Sequence, residues 1–207
     1  MKKTQPTRGR PRTFDRQAAL AIAMEIFWAK GFEGASMAEL TAAMGIGAPS
    51  LYGAFGSKEG LFREAVDLYC KTDGAAIWQD TLAAGTAYES VKAFLMTSAR
   101  EFSRGDKPRG CLIILSALNA TESSATVREE LSGMRAGNIR NLAAHLAKGV
   151  KRGEISPETD LDAVARYYVT VQQGMSIQAR DGADRKALES IAAAALAAWG
   201  PMTNALS

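Results

Sequence analysis

The chain has little of what most enzymes work with. In 207 residues it holds one histidine, His145, and two cysteines, Cys70 and Cys111. One imidazole and two widely separated thiols give no close-spaced ligand pair, so no metal and no cofactor is expected. A nucleophile elbow, a phosphate-cradling glycine loop and a zinc motif are all missing, which argues against an enzyme. Isolated carboxylates such as Glu101 and Asp106 read as surface charge. Two cysteines make no disulfide framework and fit a reducing cytoplasm. Long apolar runs are missing as well. Cys111 to Leu115 is far short of the roughly 20 residues a membrane helix needs. No apolar segment follows Met1-Lys2-Lys3, so export is not expected and the cytoplasm is the expected location.

What is present is helical. Hydrophobic residues make up 47% of the chain, and they recur at helical spacing with no convincing hairpin signal. Asp15 can cap a first helix with Leu20, Ala23, Met24 and Phe27 on its apolar face, stopped by Gly31. Ser36 and Glu39 have capping-box spacing for a second helix. Gly45 and Gly47 flank Ile46 in a tight turn. Pro49 suits the first turn of a brief third helix that ends near Gly56. Ser57 caps a fourth, and Ile77, Trp78 and Leu82 extend it or start another. Further helices are expected around Tyr88 to Phe102, in Cys111 to Leu118, from Ser124 to Arg152, from Ser156-Pro157 to Gly182, and from Asp184 to Trp199, the last ended by Gly200-Pro201. The expected fold is all-α with about nine helices. It divides into a basic arm (1–12), a three-helix head (13–56) and a larger body with its connecting helix (57–207).

The charge is uneven. The net charge is +3, yet Lys2, Lys3, Arg8, Arg10 and Arg12 crowd five cations into the first twelve residues without an acid. The basic character is an arm, not a coat. A solvated terminus is one reading and a nucleic-acid-binding arm the other.

The head favours the second. Two very short helices across a glycine turn, with a third capped helix following at once, are the sequence form of a DNA-reading helix-turn-helix. Leu40, Ala43, Ile46, Leu51 and Phe55 have the spacing to hold the pair against the first helix. Gly47, Ala48, Pro49, Ser50, Tyr52 and Gly53 are left facing outward, with Ser36 and Met37 at the start of the presenting helix. Tyr52 and Lys58 can reach phosphates, Lys58 beside the free N–H groups of its helix.

These segments resemble the TetR family of bacterial regulators. The match runs over residues 10 to 69. It includes Ala23 to Phe32 and Pro49-Ser50-Leu51-Tyr52-x-x-Phe55-x-Ser57-Lys58-Glu59, which is close to the family signature. Pro108-Arg109-Gly110-Cys111 and Gln173 to Gly182 resemble the body of a subset of members. The resemblance implies a homodimer with two heads on a partly palindromic double-stranded operator. It also implies a small-molecule inducer bound in the body, and repression as the usual outcome. The last two long helices would build the dimer bundle, with Val171, Met175, Leu188, Ile191, Ala195 and Trp199 as candidates.

The outward face of the third helix departs from the commoner pattern. Of its residues only Ser50 and Tyr52 carry a side-chain hydrogen-bonding group, so direct base readout should be thin. Arg8-Gly9-Arg10-Pro11-Arg12 resembles the core of an AT-hook. It either reads a narrow A·T-rich minor groove or only contacts phosphates.

In the body, Phe94, Phe102, Cys111, Ser116, Asn138, His145, Tyr168 and Gln172 are the candidate ligand contacts. Any helical core needs the apolar ones, while buried polar groups require a partner, which a ligand can be. Cys111 follows a Pro-Arg-Gly turn at a helix N-terminus, a setting that lowers a thiol pKa. A sensor of electrophiles and a buried structural cysteine are both consistent with it. Two other classes compete with the regulator: a small-molecule-binding helical protein with a vestigial head, and a constitutive structural DNA binder.

Overall fold

The computed structural model describes residues 15–116 and 124–203, which form helices and no strand. The elements are α1 (Arg16–Gly34), α2 (Met37–Met44), α3 (Ala48–Phe55), α4 (Lys58–Lys71), α5 (Ala75–Ala83), α6 (Ala87–Phe102), α7 (Leu112–Leu115), α8 (Ala125–Lys151), α9 (Leu161–Arg180), α10 (Arg185–Leu196) and α11 (Trp199–Thr203). No helix among the described residues is long and apolar enough to cross a membrane. The arm with Arg8, Arg10 and Arg12 lies outside the described residues.

Local chemistry sets most helix starts. Asp15, Ser36, Ser57, Asp160 and Asp184 each place a side-chain oxygen on a first-turn N–H of the helix they open, which satisfies donors that the helix itself leaves unpaired. Thr86 and Glu89 form a complete capping box at α6. Ser36 makes only half of one: Glu39 reaches Lys30 at 2.5 Å instead.

Four expectations are corrected. Ala43 is exposed, and the buried residue of that turn is Met44, because the helical stripe from Leu40 runs through position 44. Gly31 breaks α1 rather than ending it, since one more turn follows to Gly34. Ser156-Pro157 is a turn, not a helix start. The Ser156 N–H and the Thr159 hydroxyl both donate to the Thr203 carbonyl, and α9 begins only after Asp160. Gly200-Pro201 lies inside α11 rather than closing the preceding helix, a place where the missing proline N–H costs nothing.

In the head, α1 packs on α4 and α2 while α3 fills the corner between α2 and α4. Phe62 stands edge-on to Phe27 and Phe32, with centroids 5.0 and 5.2 Å away. In the body, α6 is central and packs against α5, α8, α9 and α10. Its polar residues are satisfied in place: Ser98 Oγ donates to the Phe94 carbonyl and Thr97 Oγ1 to Asp80. The short α7 sits between head and body, against α1, α8 and α9.

Candidate nucleic-acid interface and body cavities

The outward face of α3 is presented as its sequence requires. Gly45 takes φ 67° and closes α2, while Gly47 in extended geometry opens α3 without a side-chain cap. Gly47, Ala48, Pro49, Ser50 and Gly53 are exposed, and Tyr52 is half exposed at 50%. On the reverse side Leu51 and Phe55 are buried. Ser36 is exposed beside them, whereas Met37 is half-buried and packs toward the core.

Three contacts hold α3 from behind. Arg16 Nη2 donates to the Ala54 carbonyl at 3.2 Å and to Glu64 at 2.7 Å, and its guanidinium lies 4.4 Å from the Phe55 ring. One side chain thus ties α1, α3 and α4 together. Gly60 lets α4 close on the last turn of α3, because a Cβ there would meet the Phe55 carbonyl oxygen at 2.2 Å. Sequence reasoning missed Arg16, since nothing in its neighbours marks it as anything but a first-turn surface residue. Lys58 rests over the Phe32 ring, 4.4 Å from the centroid. Desolvation there lowers its pKa, against the opposing pull of Glu33 and Glu59.

The body holds three adjoining openings along one face of α8. The first, about 340 Å³, lies between α4 and α8 and is lined by Phe62, Val66, Cys70, Leu131 and Met134. Arg63 Nε spans its mouth, donating to both carboxylate oxygens of Glu130 at 2.9 Å. The second, about 220 Å³, shares Cys70 and Met134 with the first and is lined also by Tyr69, Trp78, Cys111, Asn138, Asn141 and Gln172. The third, about 430 Å³, shares Trp78 and Asn141 with the second and adds Leu82, His145 and Lys148. Leu131, Met134, Asn138, Asn141, His145 and Lys148 recur at alternating spacings of three and four, so a single stripe of α8 walls the whole cleft.

Of the expected ligand contacts, Cys111, Asn138, Gln172 and His145 therefore line the openings. Phe94, Phe102, Ser116 and Tyr168 do not. Phe94 packs on Trp78 and Tyr168 on Trp199, Phe102 is 1% exposed, and the Ser116 hydroxyl donates to the Phe27 carbonyl. Apolar residues at helical spacing went into the core because burial of large rings drives the packing. Trp78, Tyr69, Cys70 and Asn141 were missed, since their helices meet only in three dimensions.

Burial raises the Cys111 thiol pKa, outweighing the Tyr69 hydroxyl and the N–H groups of Ile113 and Ile114 that pull it down. Arg109, in the turn before Cys111, donates to the Ala183 carbonyl at 3.4 Å. Cys70 is pushed up to about 11, chiefly by burial. Among the described residues no group of three His, Cys, Asp or Glu side chains could hold a metal ion.

The expected dimer residues divide. Val171 and Ile191 are half-buried at the margin of the core on α9 and α10, and Ile177 of α9 is 44% exposed. Met175, Leu188, Ala195 and Trp199 are buried within the protomer, Trp199 against Tyr88 and Tyr168. These four point along the inner faces of their helices and serve this chain's own core.

A short helix braced from behind and bare in front makes this a helix-turn-helix DNA-binding protein. The family is equally plain. The model of the bacterial regulatory proteins of the tetR family matches residues 19–65, and that of the tetracyclin repressor-like C-terminal domain matches residues 87–195. The chain is 37% identical over 194 residues to the HTH-type transcriptional repressor ComR of Escherichia coli (strain K12), covering 93% of this chain and 92% of that one. It is 27% identical over 183 residues to the uncharacterized HTH-type transcriptional regulator YezE of Bacillus subtilis (strain 168), covering 87% and 94%. A cysteine-substituted variant of the TetR family regulator CifR, solved in complex with a 26 bp double-strand operator DNA, superposes with a TM-score of 0.88 at 43% identity. That match covers 92% of this chain and all of the other. The chain belongs to the TetR family of transcriptional regulators. It is a DNA-binding regulator whose partner is double-stranded DNA, and its family acts as dimers.

Proposed function

We propose that this regulator is a repressor that binds a partly palindromic operator as a homodimer and leaves it when a small molecule fills the cleft along α8. The observation that carries the reading is the face of α3: Gly47, Ala48, Pro49, Ser50, Tyr52 and Gly53 stand exposed on a frame locked by Arg16, Leu51 and Phe55. Repression is the activity named for ComR. Small residues let the helix lie deep in a major groove, and Tyr52 and Ser50 supply its hydroxyls. Lys58 leaves the Phe32 ring for a phosphate on binding. Arg8, Arg10 and Arg12 add contacts beside each half-site. The dimer forms along α9 and α10, through Val171, Ile177 and Ile191. The protein acts in the cytoplasm, and no catalytic role is assigned to it.

The ligand is an elongated, uncharged or weakly acidic molecule. Its apolar end lies by Leu131 and Met134, and its polar end meets Asn138, Asn141, Gln172 and Lys148. Among the described residues the wall of the middle opening offers amides and carries no charged side chain, while Lys148 stands at the far end.

The test starts from duplexes selected out of a random pool by the full-length chain. Titrations of the selected duplex are then made at two salt concentrations with wild type and Tyr52→Ala. The expected result is competitor-resistant binding that weakens with salt and is about tenfold weaker in the variant. A pool that shows no enrichment would sink the operator reading and favour a ligand-binding protein with a vestigial head.

A further inference from the structure

The break in α1 opens main-chain groups that the body then uses. Gly31 adopts φ 75°, ψ 175°, and a Cβ there would approach the Ser116 carbonyl oxygen at 3.0 Å. The Phe32 N–H, which in an unbroken helix donates to the Trp28 carbonyl, donates instead to the Ser116 carbonyl of the α7 end at 2.9 Å. Arg180, the last residue of α9, takes up what is left. Its Nη2 donates to the Trp28 carbonyl and its Nη1 to the Ala29 carbonyl, both at 2.7 Å, while Nε donates to the Arg109 carbonyl at 3.0 Å. Next to it the Trp28 indole Nε1 donates to the Gly110 carbonyl at 3.0 Å. One guanidinium thus joins the head's first helix, the loop before α7 and the C-terminal end of α9.

We propose that Arg180 is the positioning residue that sets the orientation of the DNA head on the body and thereby the half-site spacing the dimer accepts. The inference rests on the homodimeric operator reading above. Two heads must reach half-sites a fixed number of helical turns apart. Their separation depends on how rigidly each α1 is held to the helices that form the dimer, and α9 is one of these. Arg180 links the two elements directly. The task suits arginine because its planar fork offers five donors in fixed directions, so it can serve three carbonyls at once. A lysine ammonium lacks that span. Its acceptors are neutral carbonyls, and burial holds its pKa below the ordinary guanidinium value, as expected for a cation employed for geometry and not for ion pairing.

The experiment uses the full-length chain, the duplex that wild type selects, and versions of that duplex with one base pair added or removed between the half-sites. Wild type, Arg180→Met and Arg180→Lys are compared by titration, thermal melting and sedimentation. In the expected outcome Arg180→Met remains dimeric, binds the selected duplex about tenfold more weakly, and loses most of the discrimination against altered spacing, with Arg180→Lys between the two. Unchanged affinity and unchanged spacing preference overturn the proposal. So does an equal loss on every duplex in step with a lower melting temperature, which marks a structural role alone. Should Arg180→Met fail to fold, Arg180→Lys, which keeps the charge and most of the stem, carries the comparison alone. A smaller loss of spacing discrimination is then expected, and none at all overturns the proposal. A wild-type chain that selects no duplex overturns the operator reading and the inference together. One that selects a duplex while the variants match it overturns the inference alone.

Discussion

In the head, Phe27, Phe32 and Phe62 meet ring on ring, and Arg16 bolts the back of α3 to α1 and α4. In the body, α8 stands off from α4 and α5 along a cleft that runs from Phe62 to Lys148 and is bridged at one end by Arg63 and Glu130. The head spends its apolar residues on rigidity, because a recognition helix displaced by an ångström loses its hydrogen bonds to the bases. The body leaves space, because a protein that answers to a ligand needs a site whose occupation can favour one arrangement over another. The two are joined where α1 breaks, through Arg180 and α7.

The largest effect should come from attacking the rigid side. Phe27→Ala removes the ring that both Phe32 and Phe62 pack against, at a residue that is 0% exposed and lines none of the three openings. The expected cost is about 3–5 kcal/mol, read as a lowered denaturant midpoint, because a close-packed cluster cannot collapse into the hole. Leu131→Ala, at the edge of an opening that already exists, should cost distinctly less, since the transfer loss comes without a comparable new cavity. Equal costs would erase the contrast between the two regions.

That contrast also explains what could be read from the sequence. The head was legible almost residue by residue. Its caps Asp15, Ser36 and Ser57, its turn at Gly45 to Gly47 and its proline are local signals, each acting within four residues of itself. The faces of the long helices were legible too, as periodicity. The cleft was not. Tyr69, Trp78, Cys111, Asn141 and Gln172 come from five segments, and no spacing rule relates them. Polar residues inside apolar runs were the better guide: Asn138, His145 and Gln172 line openings and only Ser116 among the polar candidates does not, while the aromatic choices Phe94, Phe102 and Tyr168 all turned into the core. Arg180 was legible as part of a motif but not as a clamp, because its acceptors are carbonyls some 150 positions away along the chain.

The cleft wall can be probed through its thiols. Cys70 and Cys111 both line the middle opening, and burial raises both pKa values, that of Cys70 to about 11. Only the thiolate alkylates, so Cys70 should react with a small alkylating reagent at pH 8 about two orders of magnitude more slowly than an unperturbed thiol. Its rate should still be climbing at pH 10, with Cys111 slower again. A rate that levels off below pH 9 would show a wet, activated wall and would restore the electrophile-sensing reading of Cys111.

The smallest effect concerns His145, which faces the far opening. Its Nε2 lies 2.8 Å from Ser90 Oγ, which also lies 2.8 Å from the Thr86 carbonyl. Nδ1 is buried and has no hydrogen-bond partner among the described residues. Burial lowers the pKa, and Lys148 and Arg152 lower it further. A histidine whose folded pKa lies below its unfolded value favours the folded state while both are neutral. That contribution is complete above the unfolded pKa of about 6.5 and is lost as pH falls through it toward the folded value. Urea midpoints of wild type and His145→Gln at pH 7.5 and pH 5.5 read the difference. Wild type should lose more stability than the variant on acidification. Parallel losses would mean that the imidazole reaches water through the opening and that the far end of the cleft is as solvated as the protein surface.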